Sequence, residues 1–156
     1  MTDIKVTVNG VLGKMGQEVL RAVTMSEGIQ PVNGVDIAAG DENISLPDNT
    51  STIPLFKDVS KAIVGSDVVI DFTNSEGARS VINAAATNGV SCVIGSTGLS
   101  DNDFKIHESD SEALLMFPAR SVSKESVSKY HPSLYRGPGN SAAALLQRRC
   151  RAAARV

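Results

Sequence analysis

Ile4, Val6 and Val8 alternate with Lys5 and Thr7, the period-two pattern of a strand with one apolar face. A glycine-rich stretch follows at once. From Gly13 to about Thr24, Met15, Val19, Leu20 and Val23 then recur at helical spacing, with Gln17, Glu18 and Arg21 on the opposite side. Pro31, Val32, Val35 and the acidic Asp36 predict a second strand, and the Gly-, Asp-, Asn- and Ser-rich run from Ala38 to Thr52 predicts a loop. Asp58 is placed to cap a short helix through Ile63 and Val64. Asp67 to Phe72 is an apolar strand of the kind buried in parallel sheets. Ser75, Ala78, Val81, Ile82 and Ala85 mark a return helix, and Val90 to Ile94 the next strand. Ser100 with Asp103 resembles a capping box that opens a helix, and Ala113 to Phe117 completes the series as one more strand.

Strands alternating with helices of this length imply an α/β, doubly wound parallel sheet with right-handed crossovers and helices on both faces. The pattern stops at Pro118. Five serines between Ser121 and Ser133, an Arg-Gly-Pro-Gly stretch and an Ala/Arg-rich end predict no strand and at most one helix, near Ala142 to Arg151. The expected organisation is therefore a domain over residues 1–118 and a basic, low-complexity, disordered tail over 119–156.

Charge sharpens this division. The formal net charge of −2 is the sum of an acidic body, with 7 Lys plus Arg against 16 Asp plus Glu in residues 1–118, and a basic tail with 8 against 1. An acidic body, in a chain with only 4% aromatic residues, argues against a specific nucleic-acid surface. No apolar run approaches the roughly 18 residues of a membrane helix, and no signal peptide is recognisable, so a cytoplasmic protein is expected. Cys92 and Cys150 stand far apart without partners at metal-ligand spacing, which predicts neither a disulfide framework nor a metal site.

The chemistry-bearing segment is Gly10-Val11-Leu12-Gly13-Lys14-Met15-Gly16, set between a predicted strand and a predicted helix. Gly10 permits a tight turn, Gly13 allows the backbone to approach a pyrophosphate, and Gly16 allows helix and strand to pack closely. Free N–H groups at the helix start would face the anion. The spacing is Gly-x-x-Gly-x-x-Gly, so the middle glycine of the usual Gly-x-Gly-x-x-Gly is replaced by Leu12. Asp36, 20 residues after Gly16, stands where an acid accepts from ribose hydroxyls. Together they predict a Rossmann-type unit for NAD(H) or NADP(H). NADH is the expected preference, because residues 37–42 offer no cation for a 2′-phosphate and Lys14 is the only nearby positive charge. Asp71, Phe72 and Thr73, with Gly95, Ser96, Thr97 and Gly98, end predicted strands at the ligand-collecting edge and are candidates for the nicotinamide end, although both stretches also read as ordinary strand-to-helix turns. His107 and His131 have no dyad or triad partners by spacing.

Val8 to Gly16, Val69 to Thr73 and Val93 to Gly98 together resemble the 4-hydroxy-tetrahydrodipicolinate (dihydrodipicolinate) reductases, with the same order and separation and with Ser96 in place of the commoner threonine. The likeness covers roughly residues 4–117. It implies reduction of the cyclic, dicarboxylate imine of the lysine (diaminopimelate) pathway by hydride transfer from NADH or NADPH. It also implies that the glycine turn, the acid ending the second strand and the Gly-Ser-Thr segment hold the cofactor. After Phe117 the likeness stops: Phe117-Pro118-Ala119-Arg120-Ser121 keeps only the Pro and Ser of the family segment. The His-His pair, catalytic lysine and Pro-Ser-Gly-Thr-Ala turn of a substrate domain have no recognisable counterparts, and Leu134 stands about where the lysine would be. Catalytic residues are accordingly unassigned. The expectation is a truncated or frame-shifted family member, which would form homo-oligomers only with the substrate domain present. The alternatives are a dinucleotide-binding module without chemistry and the Rossmann unit of another amino-acid or sugar dehydrogenase.

Overall fold

The computed structural model describes residues 3–40, 42–100 and 103, and the backbone of 114–116. Ten elements follow in chain order: β1 (Ile4–Asn9), α1 (Lys14–Thr24), β2 (Ile29–Val35), β3 (Asn43–Ser45), β4 (Thr52–Phe56), α2 (Val59–Ala62), β5 (Val68–Asp71), α3 (Ser75–Asn88), β6 (Ser91–Ile94) and β7 (Leu114–Met116). The strands form one sheet in the order β3-β4-β2-β1-β5-β6-β7. All neighbours are parallel except β3, which runs antiparallel to β4 at the edge. The chain winds from β1 through β2 to β4 in one direction, then returns to the other side of β1 for β5, β6 and β7. This is the expected doubly wound sheet, with its topological switch between β1 and β5.

Alternate residues of each strand feed two apolar layers. Val6 and Val8, Val68 and Ile70, and Val93 pack with Val19, Leu20 and Val23 of α1 on one face. Val69, Cys92 and Ile94 pack with Ala62 and Ile63 of the α2 segment and with Ala78, Val81, Ile82 and Ala85 of α3 on the other. The strand predicted from Pro31 begins two residues earlier, at Ile29, and carries a bulge. Pro31 pairs with Val6 and Asn33 with Thr7, leaving Val32 without a partner on β1. A central strand tolerates a proline where a bulge interrupts the ladder.

Two differences from the sequence expectation stand out, the first at the β3–β4 edge. The predicted loop 38–52 contains β3, and β4 follows directly. Ile44, Leu46, Ile53 and Leu55 cover the α1-side core there, in place of a crossover helix. The second difference is on β1, where Thr7 and Asn9 face protein rather than water. Thr7 Oγ1 lies 2.7 Å from Ser66 Oγ and 3.3 Å from the Ala62 carbonyl. Beyond Met116 the predicted tail lies outside the described residues.

Candidate functional site

Three helices are described, and two of them satisfy their own first turns. Asp58 accepts from the Ser60 amide at the start of α2; Asn74 accepts from the amides of Glu76 and Gly77 at the start of α3. The start of α1 is different. It opens on Gly13 with no side-chain cap and no acid in its first turn. Its first helical bond runs from the Gln17 amide to the Gly13 carbonyl, so the amides of Lys14, Met15 and Gly16 precede the intrahelical ladder. The positive end of this helix is thus left open to an anion.

The turn before it is built to keep that end accessible. Gly10 has φ +76°, and its carbonyl accepts from the Gly13 amide at 3.1 Å. The amides of Gly10 and Val11 both donate to the Val35 carbonyl, and the Val11 carbonyl accepts from Gln17 Nε2. Val11 itself is fully buried in the α1-side core, so its side chain anchors the turn from beneath. A Cβ on Gly16 would lie 1.9 Å from the Gly10 carbonyl oxygen, which is why helix and strand can meet only at glycine. A Cβ on Gly13 would approach only that oxygen, at 3.3 Å, and otherwise point into open space. That open cradle fits a pyrophosphate.

Asp36, just past β2, joins the turn directly. Its Oδ2 accepts from the Leu12 amide at 3.1 Å and its Oδ1 from the Ala38 amide at 3.0 Å. The carboxylate therefore stands at the mouth of the glycine turn, with lone pairs to spare for ribose hydroxyls. Leu12, Met15 and Ile37 are exposed around it, Ile37 by 85%.

The remaining candidates also sit at the carboxyl edge. Thr73 follows β5 and touches the first turn, since a Cβ on Gly10 would lie 2.7 Å from Thr73 Cγ2. Gly95 follows β6 beneath the Phe72 ring, where any Cβ would collide with the ring carbons. The Ser96 side chain is buried and turned inward, whereas Thr97 is exposed. Ser100 donates to Asp103 Oδ2 through both its amide and its hydroxyl, while the Asp103 amide donates to the Ser100 carbonyl, so only one half of the expected capping box is formed; Arg79 of α3 grips Asp103 through Nε at 2.8 Å and a second nitrogen at 3.3 Å. The Arg79 hydrogen bond, helped by those from Ser100, holds the Asp103 carboxyl well below its usual range. This pair ties α3 to the segment following the Gly95–Gly98 turn.

Asn9 and Gln17 carry no site role in the sequence reading, yet both shape these turns, as does Asp71 at the strand end that reading marks. The available signal was chemical: Asn9 and Asp71 are polar residues closing neighbouring apolar strands. Cys92, on β6 beneath them, has its thiol pushed up from about 9 to about 12, chiefly by burial, with the nearby Asp71 adding to it. A raised folded-state pKa contributes stability that is complete below about pH 9 and is lost as pH rises toward 12. In a Cys150→Ser variant, a disulfide reagent at pH 8 should find no reactive thiol until the protein is unfolded. Prompt labelling of the native protein would contradict this burial.

The family model of the dihydrodipicolinate reductase N-terminus matches residues 4–119. The chain belongs to this family. The 4-hydroxy-tetrahydrodipicolinate reductase of Dehalococcoides mccartyi strain BAV1 is 40% identical over 105 residues, covering 66% of this chain and 40% of that protein. A dipicolinate-bound dihydrodipicolinate reductase from Paenisporosarcina sp. TG-14 superposes with a TM-score of 0.55 at 28% identity, covering 67% of this chain and 41% of that one. A Rex-family repressor solved with β-NAD+ and operator DNA shares the fold, at 13% identity and a TM-score of 0.55, over 83% of this chain and 54% of that one. The chain spans about two fifths of the length of the curated relatives it matches. The family members are reductases, and the fold seen here is a Rossmann-like dinucleotide-binding unit with the expected turns at its carboxyl edge. No helix among the described residues is long and apolar enough to cross a membrane.

Proposed function

We propose that this chain is the NADH-binding unit of a 4-hydroxy-tetrahydrodipicolinate reductase, an enzyme of the lysine pathway working in the cytoplasm. The observation that carries the reading is the open start of α1 above the Gly13 cradle, with the Asp36 carboxylate bonded to the same turn. Backbone groups of Gly10 to Met15 receive the pyrophosphate, and Asp36 accepts from the adenosine ribose. The turns at Phe72–Thr73 and Gly95–Thr97 flank the nicotinamide, which supplies hydride when bound. Reduction also needs groups that fix the substrate carboxylates and deliver a proton. The sequence after Phe117 has no recognisable counterpart of the histidine pair, lysine and anion-binding turn that the resemblance implies for this step.

Gly13→Val tests the reading at one point. The backbone at Gly13 has φ −75° and ψ 163°, which valine adopts, and the added Cβ meets one atom, the Gly10 carbonyl oxygen at 3.3 Å, so the change fills the cradle at the cost of a single tight contact. NADH affinity measured calorimetrically should fall by about 2 kcal/mol or more, roughly thirtyfold, through crowding and a lost charge-assisted hydrogen bond. Unchanged affinity would place the dinucleotide elsewhere.

A further inference from the structure

The buried polar groups at the carboxyl edge converge on one side chain. Asp71 is fully buried; its Oδ1 accepts from Asn9 Nδ2 and from Thr73 Oγ1, each at 2.7 Å, and its Oδ2 accepts from Ser96 Oγ. No ion pair with Asp71 occurs among the described residues. Burying a carboxylate is costly unless its lone pairs are filled, and a valine would close β5 without that cost. Stability alone gives no reason for an acid here.

The placement of the donors gives one. Asn9 immediately precedes Gly10, Thr73 lies on the turn after β5, and Ser96 lies inside the turn after β6. These three turns also touch, through Thr73 against Gly10 and Phe72 against Gly95. We propose that Asp71 is a positioning residue of the dinucleotide site, a single carboxylate that sets the spacing of all three turns without touching the ligand. The inference rests on the NADH-binding reading above. Its arms are separable, because Asn9 serves the pyrophosphate turn while Ser96 serves the turn assigned to the nicotinamide.

The test titrates the full chain and its variants with NADH and with ADP-ribose, which lacks the nicotinamide. Ser96→Ala cuts one arm and should weaken NADH about tenfold while leaving ADP-ribose unchanged; Ser96→Thr keeps the hydroxyl and should restore NADH affinity. Asp71→Val should weaken both ligands, and adding Ser96→Ala to it should cost nothing more, because Ser96 acts through Asp71. A purely structural role would lower the melting temperature without separating the two ligands. If Asp71→Val does not fold, Asp71→Asn, which keeps the shape of the side chain and removes its charge, takes its place in the same cycle. A Ser96→Ala loss undiminished in the Asp71→Val background would mean that Ser96 meets the cofactor itself, and would overturn the inference. So would unchanged NADH affinity in Ser96→Ala. Failure of the parent chain to bind either ligand would instead overturn the NADH reading, and the positioning role with it.

Discussion

Gly16→Ala should destabilise the protein severely, although it replaces glycine by the best helix former inside a helix. Alanine gains about 1 kcal/mol in an exposed helical position. Here the added carbon would lie 1.9 Å from the Gly10 carbonyl oxygen and 2.7 Å from the Val11 Cα, both backbone atoms. Neither can swing away as a side-chain tip would. Gly10 and Val11 are bonded to the Val35 carbonyl, and Val11 is packed in the core, so α1 must lift from the sheet instead. Overpacking typically costs about 1–3 kcal/mol, and a clash with pinned backbone belongs at or above the upper end. The net loss should be about 2 kcal/mol or more, a large part of a stability on the order of 5–15 kcal/mol. In urea titration the midpoint should fall by roughly 1–2 M, while Gly13→Ala, whose Cβ meets a single atom at 3.3 Å, should shift it little. Equal midpoints for the two variants would show that the β1–α1 joint is not set by this contact.

This contrast between glycines is readable from their places in the motif, Gly13 toward the ligand and Gly16 at the helix–strand joint; the pinned backbone atoms that a side chain at Gly16 would strike are not. The motif's location was readable, because the strand alternation ends and the helical period begins on either side of it. β5, α3 and β6 were readable for a similar reason: Val68–Asp71 and Ser91–Ile94 are short apolar runs around a helix of regular period. The edge was not. β3 has three residues and β4 contains Pro54, so their apolar positions, Ile44 and Ile53 with Leu46 and Leu55, are too few and too interrupted to declare a period. Nor does alternation on β1 distinguish a wet face from a buried polar one. Thr7 and Asn9 meet partners 59 and 62 residues away, at Ser66 and Asp71, and only the assembled sheet brings those groups together. Asp36 was legible as an acid at the right spacing; its bond to the Leu12 amide was not.

That bond changes how cofactor choice should respond to substitution. The parent chain should bind NADH more tightly than NADPH, because the 2′-phosphate would meet the Asp36 carboxylate at the mouth of the turn. Two like charges about 4 Å apart repel by about 4 kcal/mol at an effective dielectric constant near 20. Asp36 is only half-buried, so solvent screening reduces this to roughly 1–2 kcal/mol, about five- to thirtyfold in affinity. Removing the acid as Asp36→Ala should not simply reverse the preference. It also deprives the Leu12 and Ala38 amides of their acceptor, so it should loosen the turn and weaken both cofactors. Asp36→Asn keeps an oxygen for one of these amides while removing the charge. Joined to Ala38→Arg, at an exposed position beside it, the change offers a guanidinium to the phosphate. A charged hydrogen bond of about 1.5–3 kcal/mol, added to the relieved repulsion, should swing the NADPH-to-NADH affinity ratio by roughly a hundredfold or more. The swing should shrink at high salt, since the site opens to solvent. Calorimetric titration of both cofactors into the parent, Asp36→Ala and Asp36→Asn/Ala38→Arg proteins decides the matter. NADPH binding to the parent as tightly as NADH would show that Asp36 does not face the 2′ position and that its carboxylate serves the turn alone.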